Sequence, residues 1–244
     1  MTSLTSRARP ETKEPEHVPV LYSGDRLTRA EFERRYRAMP KVKNAELIEG
    51  VVYMSSPVSD DHSGPHFDTI TWLGLYRLAT PGVVGGDNGT LRLDLDNAFQ
   101  PDAFLRILPT HGGQARVDDE GFVTGAPELV AEVAVSSVSL DLHAKLNVYR
   151  RNGVKEYVVW RVDDRDIDWF VLREGRYDPL PRTAAGLYQS EVFPGLWLDP
   201  TALIRGDMQT VLQVAQLGLA NSLHTEFVAH LREKAAALSS EPRP

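Results

Sequence analysis

A single charged residue inside an apolar run is the feature of this sequence that most constrains its fold. Residues 129–135 read LVAEVAV, so Glu132 is the only polar side chain in the run. A continuous apolar run of this length is typical of a strand that is buried on both faces at the centre of a sheet. A carboxylate is costly to bury there unless it is paired or binds a metal. We therefore interpret Glu132 as a functional residue; an edge strand with Glu132 facing water is the alternative.

The segments on either side of this strand predict an α/β protein. The strand–helix–strand order around Glu132 indicates a mixed β-sheet flanked by helices, and a last periodic segment adds a long C-terminal helix. Thr28, with Glu31 three residues later, is predicted to cap the first helix. Residues 82–89 and 109–127 are predicted loops, the first with at most one short strand. Helices are predicted over 27–39, 60–78, 139–151 and 207–238, and strands over 45–55 (two, joined at 49–50), 90–95, 102–108, 129–135, 156–162, 167–172 and 176–180.

The absence of cysteine limits the chemistry of any metal site. None of the 244 residues is cysteine, which excludes disulfides and thiolate ligands. A metal must then be held by oxygen or imidazole. This favours hard cations, and we expect Mg²⁺ or Mn²⁺.

The charge of the chain provides arguments both for and against nucleic-acid binding. The net charge is −7, and phosphate contacts need lysine and arginine. Carboxylates that hold a metal count as negative in this sum, although the loaded site attracts phosphate. Residues 25–43 carry seven basic and three acidic groups. These could face a phosphate backbone, but the pattern favours a solvated helix face.

The N-terminal segment and the hydropathy of the chain predict its location in the cell. Residues 1–20 are polar and rich in proline, and we predict that they are disordered. They contain no apolar stretch typical of a signal peptide, and no segment has the apolar length of a membrane span. The expectation is a cytoplasmic protein without membrane contact.

Two further residues stand close to Glu132 in the predicted topology. Asp102 follows Pro101 and opens a strand, a position where sites are often built; a plain turn aspartate is the alternative. Lys145 lies on the helix after the Glu132 strand, beside an apolar stripe formed by Leu142, Leu146 and Tyr149. A lysine on that flank is directed toward the sheet, unless it snorkels to water.

These residues together predict a metal site with an adjacent cation. Two acids on neighbouring strands followed by a lysine on the adjoining helix suit phosphodiester hydrolysis, in which a metal neutralises the phosphate and activates water. Glu46, in the segment AELIEG, is a candidate fourth member because strand alternation could direct it inward. A surface glutamate is the alternative for Glu46.

Other metal and nucleotide motifs find little support. His62 and His66 have the spacing of a helical metal pair, but the glutamate of an HExxH motif is missing and Pro65 intervenes, so we reject a zinc protease. The patterns GxSxG, Walker A and GxGxxG do not occur.

The predicted C-terminal helix raises the question of self-association. Its apolar stripe from Met208 to Leu231 needs a covering surface. A homodimer would provide one and would suit cleavage of both strands of a duplex. Packing on the helix's own domain is the alternative.

Four sequence segments together resemble a known family. They are AELIEGVVYMSSPVSDDH (45–62), QPDAFLRI (100–107), PELVAEVAVSSVSLDLHAKLNVYRRNGVKEYVVW (127–160) and SEVFPGLWLD (190–199). In this order they are similar to the Uma-two family, a branch of the PD-(D/E)XK nuclease superfamily that carries the label of restriction endonuclease. The resemblance implies a restriction-endonuclease-like domain over residues 21–204, followed by a helical extension over 205–244.

The resemblance also implies roles for individual residues. Asp102 would be the aspartate of the PD motif and Glu132 the second acid, and both would bind Mg²⁺ or Mn²⁺ with the Val133 carbonyl. Glu46 matches the glutamate of the ELI-x-G segment. Lys145 would stand for the catalytic lysine, which in the usual pattern lies two residues after the acid, where this chain has Ala134.

The function that follows is a metal-dependent endonuclease acting on DNA. In this interpretation Glu46 assists the metal or the water, and Lys145 acts on the nucleophile. A non-catalytic module that binds nucleic acid or protein on the same fold is the alternative, supported by the acidic net charge.

Overall fold

Fourteen strands and seven α-helices are present in the part of the chain that the computed structural model describes, residues 18–54 and 59–240. Most of the segment predicted to be disordered, residues 1–20, lies outside these ranges, as does Ser55 at the predicted end of a strand. The strands are β1 (Ala45–Ile48), β2 (Val51–Met54), β3 (Val83–Asp87), β4 (Leu91–Asp94), β5 (Asn97–Phe99), β6 (Ala103–Ile107), β7 (Arg116–Val117), β8 (Val123–Thr124), β9 (Leu129–Ala134), β10 (Glu156–Arg161), β11 (Asp166–Arg173), β12 (Arg176–Pro179), β13 (Tyr188–Gln189) and β14 (Trp197–Leu198).

Helices lie near the beginning, at the centre and at the end of the described residues. A π-helical turn, Asp141–Lys145, joins two helical pieces into one continuous segment, and a 3₁₀ turn lies at Pro109–His111. The helices are α1 (Arg29–Arg37), α2 (Asp60–Ala79), α3 (Val138–Leu140), α4 (Leu146–Asn152), α5 (Pro200–Ile204), α6 (Met208–Leu219) and α7 (Ser222–Ser240).

Two six-stranded sheets form the framework. The central sheet has the order β12-β11-β10-β9-β6-β3, and the outer sheet has the order β2-β1-β5-β4-β8-β7. In the central sheet β9 and β10 are parallel and the other neighbours are antiparallel. The outer sheet has one parallel pair, β4 with β8. The predicted α/β fold, with mixed sheets flanked by helices, is thus confirmed.

Strand β9 is buried on both faces at the centre of its sheet. Leu129, Ala131 and Val133 pack with α2 and the C-terminal helices, while Val130 and Ala134 pack against the outer sheet and α4. Because side chains alternate along a strand, Glu132 points into this second layer, between the two sheets. All six residues of β9 are buried, so the edge-strand alternative for Glu132 is wrong.

The first helix and the two predicted loops can be compared directly with the structure. Thr28 caps α1 as predicted, since its hydroxyl accepts a hydrogen bond from the Glu31 amide at 3.5 Å. The predicted loop 82–89 contains the five-residue strand β3, which pairs with β6. The prediction allowed one short strand here, and β3 is that strand. Its glycines weaken the strand pattern in the sequence, because a Cβ on Gly86 would lie 2.1 Å from the Phe104 ring and a side chain has no room there. The loop 109–127 contains the short strands β7 and β8.

The C-terminal segment differs from the prediction of one continuous helix over 207–238. It forms two helices, α6 and α7, because Asn221 interrupts the helix and its side chain accepts a hydrogen bond from the Leu223 amide at 2.9 Å. Val211 and Leu231 are buried in the core on the α2 side of the central sheet, whereas Leu223 is exposed. The apolar stripe is therefore covered largely by the chain itself and does not by itself require a partner.

Four of the seven basic residues of segment 25–43 form ion pairs within the protein, namely Arg29, Arg34, Arg35 and Arg37. Arg34 and Arg35 contact Glu31 at 2.7 and 2.6 Å, and Arg37 contacts Glu120 at 2.6 Å. This pairing supports the solvated helix face over a free phosphate-binding surface. Within the described residues, no helix is both long and apolar enough to cross a membrane.

Candidate active site

The predicted site residues come together where the central sheet faces the outer sheet. Glu132 projects from β9, and Glu46 projects from the face of β1 opposite Ala45 and Leu47, which pack on α1. Lys145 ends the π-helical turn above them. Asp102 lies immediately before β6, the antiparallel neighbour of β9. The fold thus brings four residues spread over a hundred positions of sequence into one cluster.

Lys145 is the ionic centre of the cluster. Its ammonium lies 3.1 Å from a carboxylate oxygen of Glu132, 3.1 Å from one of Glu46 and 3.4 Å from one of Asp141. Its side chain is only 7% exposed. Burial alone would lower the pKa of Lys145, but the three carboxylates raise it well above its ordinary value. The snorkelling alternative is therefore wrong, and the lysine is held in its charged form inside the protein.

Glu132 is held by several groups at once. Its Oε1 accepts hydrogen bonds from Lys145 Nζ at 3.1 Å and from the Tyr149 hydroxyl at 2.8 Å. Its Oε2 accepts a long hydrogen bond from the Asp102 backbone amide at 3.4 Å. Burial raises the pKa of Glu132 well above its ordinary value, with Lys145 opposing and Asp141 adding to the rise. Oε2 accepts only the long bond, whereas Oε1 accepts two shorter ones, so Oε2 is the oxygen more open to a further ligand.

Asp141 and Tyr149 belong to the cluster but were not predicted. Asp141 is buried, and the Ser137 hydroxyl donates to it at 2.5 Å. Burial raises the pKa of Asp141, against the lowering effect of Lys145. The spacing of four residues before Lys145 was an available signal, because carboxylate and ammonium groups meet at that spacing on a helix. The predicted stripe differs from the observed one: Leu142 and Leu146 are half-buried, whereas Asp141, Lys145 and Tyr149 are buried.

Asp102 is fixed by the start of the next strand. Its Oδ2 accepts a hydrogen bond from the Val133 amide at 2.7 Å, and Oδ1 lies 3.4 Å from His62 Nε2. Burial alone would raise the pKa of Asp102, but the hydrogen bonds from His62 and Val133 lower it below the ordinary value. The carboxylate is thus kept ionised beside the Val133 backbone, whose carbonyl was predicted to be a metal ligand.

Two histidines of α2 complete the surroundings of Asp102. His66 Nε2 lies 2.8 Å from the Asp102 backbone oxygen and 3.2 Å from a carboxylate oxygen of Asp87. Burial lowers the pKa of His62, but the larger effect of its hydrogen bond to Asp102 raises it. The sequence had shown the helical spacing of His62 and His66, but could not show that they meet Asp102.

The donor set of this region fits a divalent cation. Three carboxylates, those of Glu46, Glu132 and Asp141, surround a single buried ammonium group, and the Asp102 amide lies beside Glu132. This excess of negative charge in a poorly solvated place is costly unless a cation or protons compensate it. Among residues 18–54 and 59–240, a group of three potential metal-binding side chains with donor atoms within 4.8 Å is formed by His62, His66 and Asp102. The site therefore offers oxygen and imidazole donors, as the lack of cysteine required.

Comparison with solved structures agrees with this fold. The chain is similar to the crystal structure described as "a putative nuclease belonging to DUF820" from Anabaena variabilis ATCC 29413, with a TM-score of 0.50 and 12% sequence identity. The similarity covers 70% of this chain and 97% of that chain. At this identity the likeness concerns the fold, and a search of curated proteins gave no match.

The chain is thus a mixed α/β protein with an acid–lysine cluster between its two sheets. A family model extends this from fold to family: it matches residues 29–201, from α1 to α5. The chain belongs to the Uma2 family, described as "Putative restriction endonuclease". The predicted family is thereby confirmed, and α6 and α7 lie outside the matched range.

Proposed function

We propose that this protein is a metal-dependent endonuclease that hydrolyses phosphodiester bonds in DNA. The observation that carries the proposal is the buried cluster in which Glu46, Glu132 and Asp141 contact Lys145, with Asp102 alongside. Burying one ammonium among so many carboxylates costs free energy, and a purely structural core has little reason to retain such a cluster. Membership of a family described as restriction endonucleases gives the reaction class.

Asp102 and Glu132 are the proposed metal ligands, together with the Val133 carbonyl. Glu132 has one oxygen, Oε2, that neither Lys145 nor Tyr149 occupies, and Asp102 Oδ1 is contacted by a histidine at 3.4 Å. A divalent cation, Mg²⁺ or Mn²⁺, would supply a Lewis acid for the phosphate and a nucleophilic water at neutral pH.

Lys145 is proposed to act on the nucleophile or the phosphate. An ammonium has three N–H donors, and here three carboxylates share them. A water or a phosphate oxygen that enters the cluster can replace one of these partners while the others keep Lys145 in position. Glu46 then serves to orient Lys145, since its second oxygen is fixed by the Gln100 amide at 2.8 Å.

A cleavage assay with isosteric variants tests the proposal. Wild type, Asp102→Asn and Glu132→Gln are incubated with supercoiled plasmid and with single-stranded DNA, in Mg²⁺, in Mn²⁺ and in a chelator. We expect metal-dependent cutting by wild type and a loss of at least about 100-fold in each variant, as for removal of a group that stabilises charge in the transition state.

Glu128→Gln is the matched control. Glu128 is also fully buried and precedes β9 by one residue, but its carboxylate accepts hydrogen bonds from the Ile107 and Gln114 amides, away from the cluster. It should keep near wild-type cleavage. If Glu132→Gln cut DNA as fast as Glu128→Gln, the assignment of Glu132 would be wrong.

The products and the metal controls test the remaining parts of the proposal. Linear plasmid as an early product would support a homodimer with two sites, whereas nicked circles alone would contradict it. Folded wild-type protein that binds DNA but never cuts it would favour the non-catalytic binding module.

A further inference from the structure

The two histidines of α2 share one face of their helix. His62 and His66 are four residues apart, the spacing that places side chains one above the other. Their rings lie 5.7 Å apart, centroid to centroid. Both side chains are mostly buried, with exposures of 22% for His62 and 15% for His66. This arrangement brings one nitrogen of each ring close to Asp102.

Asp102 is the third member of the group that contains the two histidines. His62 Nε2 lies 3.4 Å from its Oδ1, and donor atoms of all three residues lie within 4.8 Å of one another. The distance of 3.4 Å is long for a hydrogen bond between a ring and a carboxylate. Against the raising effect of burial, this long contact lowers the pKa of Asp102 but leaves its Oδ1 only weakly bonded.

An unpartnered nitrogen adds a second, independent observation. Nδ1 of His62 is buried and has no hydrogen-bond partner within the described part of the chain. Buried polar atoms are nearly always bonded, and an exception points to a missing ion or water. His66 Nε2 already has two partners, the Asp102 backbone oxygen and Asp87, so coordination through this nitrogen would replace both contacts.

We propose that His62 and His66 bind the same divalent cation as Asp102 and give the site a preference for Mn²⁺ over Mg²⁺. The inference rests on the proposed function only in treating Asp102 as a metal ligand. Imidazole nitrogen is a softer donor than carboxylate oxygen, and Mg²⁺ is bound mainly through oxygen and water. A mixed set of nitrogen and oxygen donors therefore selects transition-metal ions.

Metal titration without nucleic acid tests the proposal. Metal-free wild type, His62→Ala and His66→Ala are titrated with Mn²⁺ and with Mg²⁺ by calorimetry at one fixed, alkaline pH. Each variant is expected to lose about tenfold or more in Mn²⁺ affinity, while Mg²⁺ affinity changes by less than about threefold. The control is His230→Ala, which removes an exposed histidine of α7 and should leave both affinities unchanged.

Equal losses for the two metals would show that the histidines only hold Asp102 in place, and would overturn the proposal. Unchanged or tighter Mn²⁺ binding in the variants would also overturn it.

A spectroscopic measurement on wild type avoids any doubt about variant folding. Electron spin-echo spectra of the Mn²⁺-loaded protein should show coupling to ¹⁴N from the coordinated rings, and spectra without that coupling would refute the inference. The two proposals fail separately. Nitrogen coupling without DNA cleavage would contradict the proposed nuclease activity. Mn²⁺-dependent cleavage without nitrogen coupling would contradict only the proposal that the histidines bind the metal.

Discussion

Replacing Lys145 by methionine should destabilise the fold strongly. The substitution keeps an unbranched side chain of similar length but removes the ammonium that lies 3.1 to 3.4 Å from three buried carboxylates. Loss of one partner of a buried ion pair leaves uncompensated charge and costs about 3–5 kcal/mol. Since a domain of this kind is stabilised by only about 5–15 kcal/mol, the effect is large.

Urea denaturation in the presence of a chelator measures this cost without bound metal. The double variant Lys145→Met, Glu132→Gln removes the charge on both sides of one contact. We therefore expect the double variant to lose less stability than the sum of the single variants, by about 1–3 kcal/mol. Lys155→Met is the matched control, because Lys155 is 44% exposed and lies 3.9 Å from Glu128. A surface contact of that kind contributes about 0–1 kcal/mol.

Two results would refute the reasoning. A cost for Lys145→Met no larger than that of Lys155→Met would mean that solvent or protons already compensate the cluster. Additive single variants would mean that Lys145 and Glu132 do not stabilise each other, whatever their distance.

Two further predictions concern structure outside the site. Burial raises the pKa of Glu156, although the Ser190 hydroxyl donates to it. Its neutral form is therefore favoured by folding, and the resulting stability is complete below the ordinary glutamate pKa and lost as pH rises through the raised value. In urea titrations, the unfolding free energy of wild type should fall as the pH rises over that range, whereas that of Glu156→Gln should not. Parallel profiles of unfolding free energy against pH for the two proteins would contradict this. Gly218→Ala should cost about 1–3 kcal/mol, because the new Cβ would lie 2.2 Å from the Gly195 carbonyl oxygen. Gly74→Ala in α2, where a Cβ meets nothing within 4 Å, should instead stabilise the protein by about 0.5–1 kcal/mol. If the two glycine variants changed the unfolding free energy equally in denaturation experiments, the close packing of α6 at Gly218 would be wrong.

The Glu132 strand and the Lys145 helix were predictable because their signals are local. An apolar run with one acid indicates burial at that position, and the helical spacing places the lysine on the sheet side. Strand alternation likewise pointed Glu46 inward, and the structure places it 3.1 Å from Lys145. Each of these inferences needs only the residues next to it in the chain.

The misses and the weaker predictions arise where burial and periodicity are decided by packing. The π-helical turn changes which residues face the sheet, so Asp141 replaces Leu142 on the buried line. The strand β3 has glycines where the Phe104 ring needs space, and so lacks the side chains by which strands are recognised. Asn221 interrupts a segment whose apolar spacing continues through it.

The sequence by itself determined the class of fold, the buried acid, the lysine that faces it and the exclusion of thiolate metal chemistry. Only the tertiary structure decided that Asp141 and Tyr149 join the cluster and that His62 meets Asp102. The physical reason is that a periodic pattern reports which face of one element is buried, whereas contacts between elements depend on sheet order and helix placement. Asp102 reaches Val133 because β6 pairs with β9, and His62 reaches Asp102 because α2 packs across their ends.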